Sequence, residues 1–357
     1  MRIFITHIFP GEELLRTGLS VAATNFSLNL ISNDAFDKVY SILPPFVRGD
    51  LNTRHKYGIE AVYSRLLRNA GFTRFAAVLE QAMTLCKIPK NSSVWLYNMT
   101  PLNGILVKLL RRFKPSVCIY TIVLDFTPED LSSERWLPEI NSCEGRITLS
   151  MSNRFNQENT ICLPGVTPCE KRSWPKVTKP TREFIISGQL GDNISMLSEL
   201  LPVFAAHADW TLNITGDAPE MAKEYSRRHG NIRCHGKVSF DKFLEILHKS
   251  PFLLSTRNPN MPENQCNFPS KIIEGLLHNR IIISTIYYPQ LSTIKYLRVD
   301  ADDLDAGLSE IASMPDSKLL KYANQAELTD SLFNAKRWAE EMEKIENNKS
   351  LVSTKKS

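Results

Sequence analysis

The chain has 357 residues, 43% hydrophobic and 23% charged, with a formal net charge of +5. That size and apolar content suit two domains with a core each and exclude a disordered or low-complexity protein. Unbroken apolar runs, such as 122–124 and 281–283, fall far short of the roughly 20 residues a membrane-spanning helix needs.

In chain order, strands are predicted near 2–7, 39–43, 94–98 and 117–124, with helices near 19–32, 60–86 and 102–113. No cationic leader with an apolar core and a cleavage site opens the chain. The segment 163–180 has prolines at 164, 168, 175 and 180, too dense for a helix or a central strand, and reads as a linker. Beyond it the rhythm is clearer. Strands near 184–187, 210–215, 232–235, 252–256 and 281–286 alternate with helices near 194–207, 219–229, 239–249 and 270–279. Such alternation predicts a parallel sheet with helices on both faces, with ligands at the carboxyl ends of the strands. An amphipathic helix, 331–347, and a polar tail, 348–357, expected to be disordered, complete the chain. The division is then an N-terminal domain over 1–165, a linker over 166–180 and a C-terminal domain over 181–330.

Seven scattered cysteines, odd in number and with no C-x-x-C pair, fit a reducing cytoplasm and no structural zinc. The positive charge is uneven. Residues 40–124 hold 12 basic side chains, from Arg48 to Lys114, against three acidic ones, Asp50, Glu60 and Glu80. That excess points to an anionic partner. No nucleic-acid motif is present and few aromatics interleave with these cations, so the expected partner is an anionic membrane surface, through basic residues 48–114.

The most informative stretch is 265–288, QCNFPSKIIEGLLHNRIIISTIYY. A turn marked by Asn267, Pro269 and Ser270 opens a helix carrying Lys271 and Glu274 on neighbouring parts of one face. Free backbone N–H groups at a helix start, beside a lysine, bind phosphate well, and a carboxylate accepts two hydrogen bonds from a vicinal diol. The expected ligand has an anionic part and a hydroxylated part. Other strand-ending turns carry Gly188, Gly216 with Asp217, Lys237 and Arg257; Asp217 is equally placed to cap the helix after Pro219.

The order SGQL (187–190), NITGDAP (213–219), NIRCHGKVSFDKFLEIL (231–247), PFLLST (251–256) and NFPSKIIEGLLHNRIIIST (267–285) resembles the donor-binding domain of GT-B glycosyltransferases. The likeness is to the large retaining family that builds bacterial surface polysaccharides and lipopolysaccharides. It covers roughly 183–300, and the N-terminal half only in layout. The resemblance implies an α/β fold of two Rossmann-like, doubly wound domains facing a central cleft, with the C-terminal helix crossing back to the first domain.

The same resemblance implies roles. Glu274 matches the second glutamate of the family's E-x7-E signature and would hold the ribose hydroxyls. The first glutamate falls on Cys266, leaving the sugar to Glu263, Asn264, Gln265 or Asn267. Ser270 and Lys271 would take the diphosphate. Gln189, and Asn193 or Ser195, stand where many members carry an arginine and a lysine, so Lys237 and Arg257 are the candidate substitutes. Gly216 and Asp217 would approach the nucleotide. In the first half Gly18, within RTGLS, would meet the donor phosphates, and Asp125 and His7 end strands at the same edge. The implied chemistry is transfer from a nucleotide-diphosphate sugar to a lipid-linked glycan acceptor, with the departing phosphate deprotonating the acceptor. The resemblance implies neither a metal nor a cofactor, and no G-x-G-x-x-G follows the first strand. If configuration were inverted, Asp125 or His7 would be the base. An epimerase acting on the nucleotide sugar and a catalytically silent binding protein are the alternatives.

Overall fold

The computed structural model describes residues 1–8, 21–47, 55–124, 126–128, 130–169, 174–191 and 194–353. Gly18, Asp125, Asn193, Arg48, Arg54 and the tail from 354 onward lie outside them. The chain divides into two compact units, Met1–Cys169 with Asn334–Ser357, and Glu170–Phe333.

The first unit is built on an eight-stranded sheet. Its strands are β1 (Arg2–Thr6), β2 (Lys38–Ser41), β3 (His55–Lys56), β4 (Ile59–Ala61), β5 (Ser93–Tyr97), β6 (Cys118–Val123), β7 (Gly145–Thr148) and β8 (Thr160–Cys162). The spatial order is β3-β4-β2-β1-β5-β6-β7-β8. All neighbours are parallel except β3 and β4. Helices α1 (Val21–Ile31), α2 (Arg65–Asn69), α3 (Thr73–Lys87) and α4 (Pro101–Phe113) connect them. The single helix expected over 60–86 is therefore strand β4 followed by two helices. Gly71, at φ +88°, allows the tight turn between them.

One buried ion pair explains that packing. Arg68 and Glu80 are both fully buried; the guanidinium gives two hydrogen bonds to the carboxylate, at 2.8 and 2.6 Å, and three more to the carbonyls of Leu43, Pro44 and Val47. Every donor on the Arg68 side chain is thereby used, which is the condition under which a buried pair is tolerated. Arg68 therefore cannot serve the basic surface expected over 48–114. Two more of those cations are committed. Lys114 donates to the carbonyls of Leu85 and Ile88, and Lys87 pairs with Glu60 at 2.8 Å.

The second unit has six parallel strands, β9 (Glu183–Gln189), β10 (Thr211–Asp217), β11 (Ile232–Gly236), β12 (Phe252–Ser255), β13 (Ile281–Ser284) and β14 (Leu297–Arg298). Their order is β11-β10-β9-β12-β13-β14. Within this unit that is third, second, first, fourth, fifth, sixth, the doubly wound order whose direction of winding reverses between β9 and β12. Helices α5 (Leu197–Ala206), α6 (Glu220–Arg228), α7 (Phe240–Lys249), α8 (Pro262–Cys266), α9 (Ser270–Leu277), α10 (Leu304–Ser313) and α11 (Ala326–Phe333) complete it. Phe184 stacks on Phe252 at 4.9 Å and meets Phe204 edge-on at 5.2 Å, in a core of aliphatic side chains from strands and helices.

The last helix, α12 (Ala335–Ser353), belongs to the first unit and continues through residues 348–353 of the expected tail. Trp338, Met342 and Ile345 are fully buried. Glu346 accepts from Arg2 at 2.9 and 2.8 Å and from the Trp95 indole at 2.7 Å.

Much of the expected linker is anchored. Val166 and Thr167 are buried in the first unit. In the second, Trp174 packs on His278 at 4.2 Å, and Arg280 donates to the carbonyls of Pro175, His248 and His278. His248 Nε2 and His278 Nδ1 share a hydrogen bond at 2.9 Å, which one neutral ring donates and the other accepts. Burial, then His248 and Arg280, push the His278 pKa down to about 3.

As pH falls below about 6.5 the unfolded chain takes up a proton that the native His278 refuses. The stability it contributes is present above that pH and drains away toward pH 3. Between pH 6.5 and 5 the loss should be about 1–2 kcal/mol for this one group. Thermal melts of the wild type and His278→Gln at pH 7.5 and 5 should show a shallower pH dependence in the variant; identical slopes would contradict this.

Candidate functional site

In a doubly wound sheet the crevice opens where the winding reverses, at the carboxyl ends of the two strands concerned. Here those strands are β9 and β12. Strand β9 ends in Ser187, Gly188 and Gln189, paired in register with Thr215, Gly216 and Asp217 of β10. Gly188 and Gly216 have φ of +120° and +108°. A Cβ on Gly216 would lie 2.1 Å from the Gly188 carbonyl oxygen, so two backbones approach here more closely than any side chain permits. Among the described residues a Cβ on Gly188 would meet nothing within 4 Å, which leaves open space over that residue.

Strand β12 runs into Thr256 and Arg257. The Thr285 hydroxyl, at the end of β13, accepts from the Arg257 amide at 2.8 Å and donates to the Arg257 carbonyl at 2.6 Å, fixing the backbone. The guanidinium donates to Asn264 Oδ1 at 3.1 Å, and among the described residues no carboxylate pairs with it. Burial pushes its pKa below the ordinary value, opposed by Tyr288. Arginine keeps its proton regardless, so the half-buried guanidinium stays a cation whose hydrogen-bond partner among the described residues is the neutral Asn264. Asn264 is buried, with its amide oxygen accepting from Arg257 and its nitrogen donating to the Asn258 carbonyl at 2.9 Å.

The connection after β12 contains α8, and Asn267 follows as its C-cap. Phe268 is buried against Tyr288, with ring centroids 5.0 Å apart, and Pro269 is the N-cap of α9. With no side-chain cap there, the N–H groups of Ser270 and Lys271 have no acceptor among the described residues. Lys271 Nζ lies 2.5 Å from Glu274 Oε2, and 4.7 Å from the centroid of Phe243 on α7. Both charges are partly exposed, so the pair is weak enough for a ligand to divide.

Lys237 and Asp217, at the ends of β11 and β10, pair at 3.0 Å on the open surface. Asp217 does not cap the following helix, whose N-cap is Pro219. Gln189 is exposed, and Ser195 is buried with its hydroxyl on the Gly191 carbonyl. The sequence did not single out the hydroxyls of Ser187, Thr215 and Thr256, each buried without a partner among the described residues near the ends of β9, β10 and β12. Their signal was a polar residue closing each apolar strand.

The first unit reverses its winding between β1 and β5. His7 follows β1 and is buried; its Nδ1–H donates to the Ile42 carbonyl at 3.2 Å, leaving Nε2 to accept from Asn103 and Thr100, both at 3.4 Å. Burial pushes its pKa down to about 4. A neutral ring with both nitrogens occupied is placed to support α4, not to take a proton from a substrate. Beside it a cavity of about 120 Å³ is lined by Asn98, Met99, Thr100, Phe126, Ser133 and Trp136, among others. Among the described residues no group of three His, Cys, Asp or Glu side chains could hold a metal ion.

No family model matches the sequence, and no curated protein matches it at a significant level. Solved structures do. Anabaena HepE in complex with UDP superposes with a TM-score of 0.63 at 9% identity, over 97% of this chain and 99% of that one. The trehalose-6-phosphate synthase OtsA gives 0.65 at 11% identity, over 97% and 99%. TarM gives 0.57 at 14% identity over 75% of this chain, which spans 58% of TarM's length. All three are GT-B glycosyltransferases. The chain has the GT-B fold. HepE has also been solved with UDP-glucose.

The paired glycines give this GT-B chain a test of the site's backbone. Gly216→Ala should cost at least about 2 kcal/mol, from positive φ and contact with the Gly188 carbonyl. Gly188→Ala, with open space around its Cβ, should cost about half as much. Urea unfolding checks the order, and equal costs would contradict the close approach.

Proposed function

We propose that the chain is a glycosyltransferase that moves a sugar from a nucleotide-diphosphate donor, a uridine nucleotide in the first instance, to a growing lipid-linked glycan of a bacterial surface polysaccharide. The observation that carries this reading is Arg257, a half-buried cation at the reversal point of a GT-B sheet with no carboxylate on it among the described residues. The structures of HepE with UDP and UDP-glucose supply the donor class.

In this reading the diphosphate lies against Arg257, the free amides of Ser270 and Lys271, and the Lys271 ammonium, which leaves Glu274 as the nucleotide enters. Glu274 then accepts from the ribose diol. The open space above Gly188 admits the donor, and Asn267, Pro269 and Phe268 fix the approach to the helix start. As the glycosidic bond to phosphate breaks, negative charge grows on the diphosphate, and fixed cations and amides lower the barrier because they need no reorganisation. The acceptor oxygen bonds to the same carbon, its proton passes to a departing phosphate oxygen, and configuration is retained without a dedicated base. Gly18, Asp217, Lys237 and Asp125 are the remaining candidates for contacts to donor or acceptor. The enzyme would work from the cytoplasmic side of an anionic membrane, where a lipid-linked acceptor is presented.

Uridine diphosphate at saturation should raise the melting temperature of the native protein by a few degrees. Arg257→Gln, Lys271→Ala and Glu274→Ala should each weaken binding about 10- to 100-fold, as loss of a charge-assisted hydrogen bond does, and remove most of the shift at fixed ligand concentration. Unchanged shifts in all three would reject this site.

A further inference from the structure

Helix α3 is amphipathic the wrong way round. Its inward face carries Ala76, Ala77, Glu80, Gln81 and Thr84, all buried. Its outward face carries Phe75, Val78, Leu79 and Met83, all exposed, with Phe72 preceding it and Leu66 on α2 beside it. Leu66 is 85% exposed, Phe72 63% and Phe75 62%. A helix on a soluble surface ordinarily does the reverse.

The inner polar groups show that the inversion is built in. Glu80 is consumed by Arg68 and by the Ser64 amide at 2.7 Å. Gln81 Oε1 accepts from the Leu106 amide at 2.9 Å, and the Thr84 hydroxyl donates to the Glu80 carbonyl at 2.7 Å. The inner face is therefore satisfied by hydrogen bonds, and the large apolar side chains are left outside, clustered on one surface.

We propose that this face of α2 and α3 is a bilayer-inserting surface, with Leu66, Phe72, Phe75, Leu79 and Met83 entering the acyl boundary of an anionic membrane. Charge identifies the occupant. Exposed Arg65 and Arg74 stand next to Leu66 and Phe75, the one carboxylate on α2 and α3 is Glu80, buried on Arg68, and Glu60 is held by Lys87 at the far end of α3. Apolar and aromatic side chains projecting from a helix flanked by arginines match the boundary between headgroups and acyl chains. A second copy docking through the same face would set Arg65 and Arg74 against their own equivalents. The surface differs from the purely basic contact expected from residues 48–114, because insertion depends on apolar side chains and the arginines add selectivity for anionic lipid.

This deepens the membrane part of the functional reading and rests on it, but it does not rest on the donor site. The test is flotation of the full chain with vesicles of phosphatidylcholine alone or mixed with phosphatidylglycerol. The wild type should float with the mixed vesicles and much less with phosphatidylcholine. Phe72→Ser with Phe75→Ser should lower the partition coefficient about 100-fold, about tenfold for each phenylalanine removed from the boundary. Arg65→Gln with Arg74→Gln should lower it several-fold on mixed vesicles only. Retention of the uridine diphosphate thermal shift in these variants shows that they fold, and loss of that shift in Arg257→Gln with unchanged flotation separates the two sites. No flotation of the wild type, or equal flotation of the phenylalanine variant, overturns the proposal. So does a wild-type dimer in light scattering that the phenylalanine variant dissolves, since the face would then join two copies.

Discussion

A half-buried cation with no carboxylate on it among the described residues is the constraint around which the second unit is arranged. Arg257 keeps its charge, so the fold bears the desolvation cost, and Asn264 offsets it with one neutral acceptor. Thr285 grips the backbone on either side of the charge, and buried Asn264 holds the loop that follows. Arg68 in the first unit makes the contrast plain, with five hydrogen bonds and a matched carboxylate, a structural cation with nothing left to offer.

The remaining features of the site follow from strand order. Placing β9 and β12 side by side brings the loop after β9 against the start of the loop after β12, where the Met196 amide donates to the Thr256 carbonyl at 3.0 Å. The Gly188–Gly216 pairing then brings two strand ends together with no side chain between them. Helix α9 begins without a side-chain cap. Polar hydroxyls, free amides and cations converge on the carboxyl edge of an apolar sheet, which is a chemistry suited to a phosphorylated and hydroxylated ligand.

Much of this architecture was legible in the chain. The alternation over 184–286 gave each of β9 to β13 and helices α5, α6, α7 and α9, because buried parallel strands are short β-branched runs bounded by glycine or polar turns. Less was legible in the first unit. β3, β4, β7 and β8 are two to four residues long, too short to show a period. Helix α8 was hidden for the same reason, at five residues behind Pro262. The Lys271–Glu274 juxtaposition followed from helical spacing, but the charge state of Arg257 did not, since its isolation depends on which side chains three other segments bring near it. The inversion of α3 was equally hidden. Its pattern of apolar residues fits a helix with either face inward, and Arg68, twelve residues upstream of Glu80, decides which face is buried.

The most direct measurement is a crystal structure of the full chain with uridine diphosphate. The account predicts diphosphate oxygens about 2.7–2.9 Å from the Arg257 guanidinium and from the amide of Ser270 or Lys271, with the Lys271–Glu274 pair opened and Glu274 on the ribose hydroxyls. A nucleotide bound elsewhere, with Arg257 still facing only Asn264 and the lysine still on its glutamate, would contradict it.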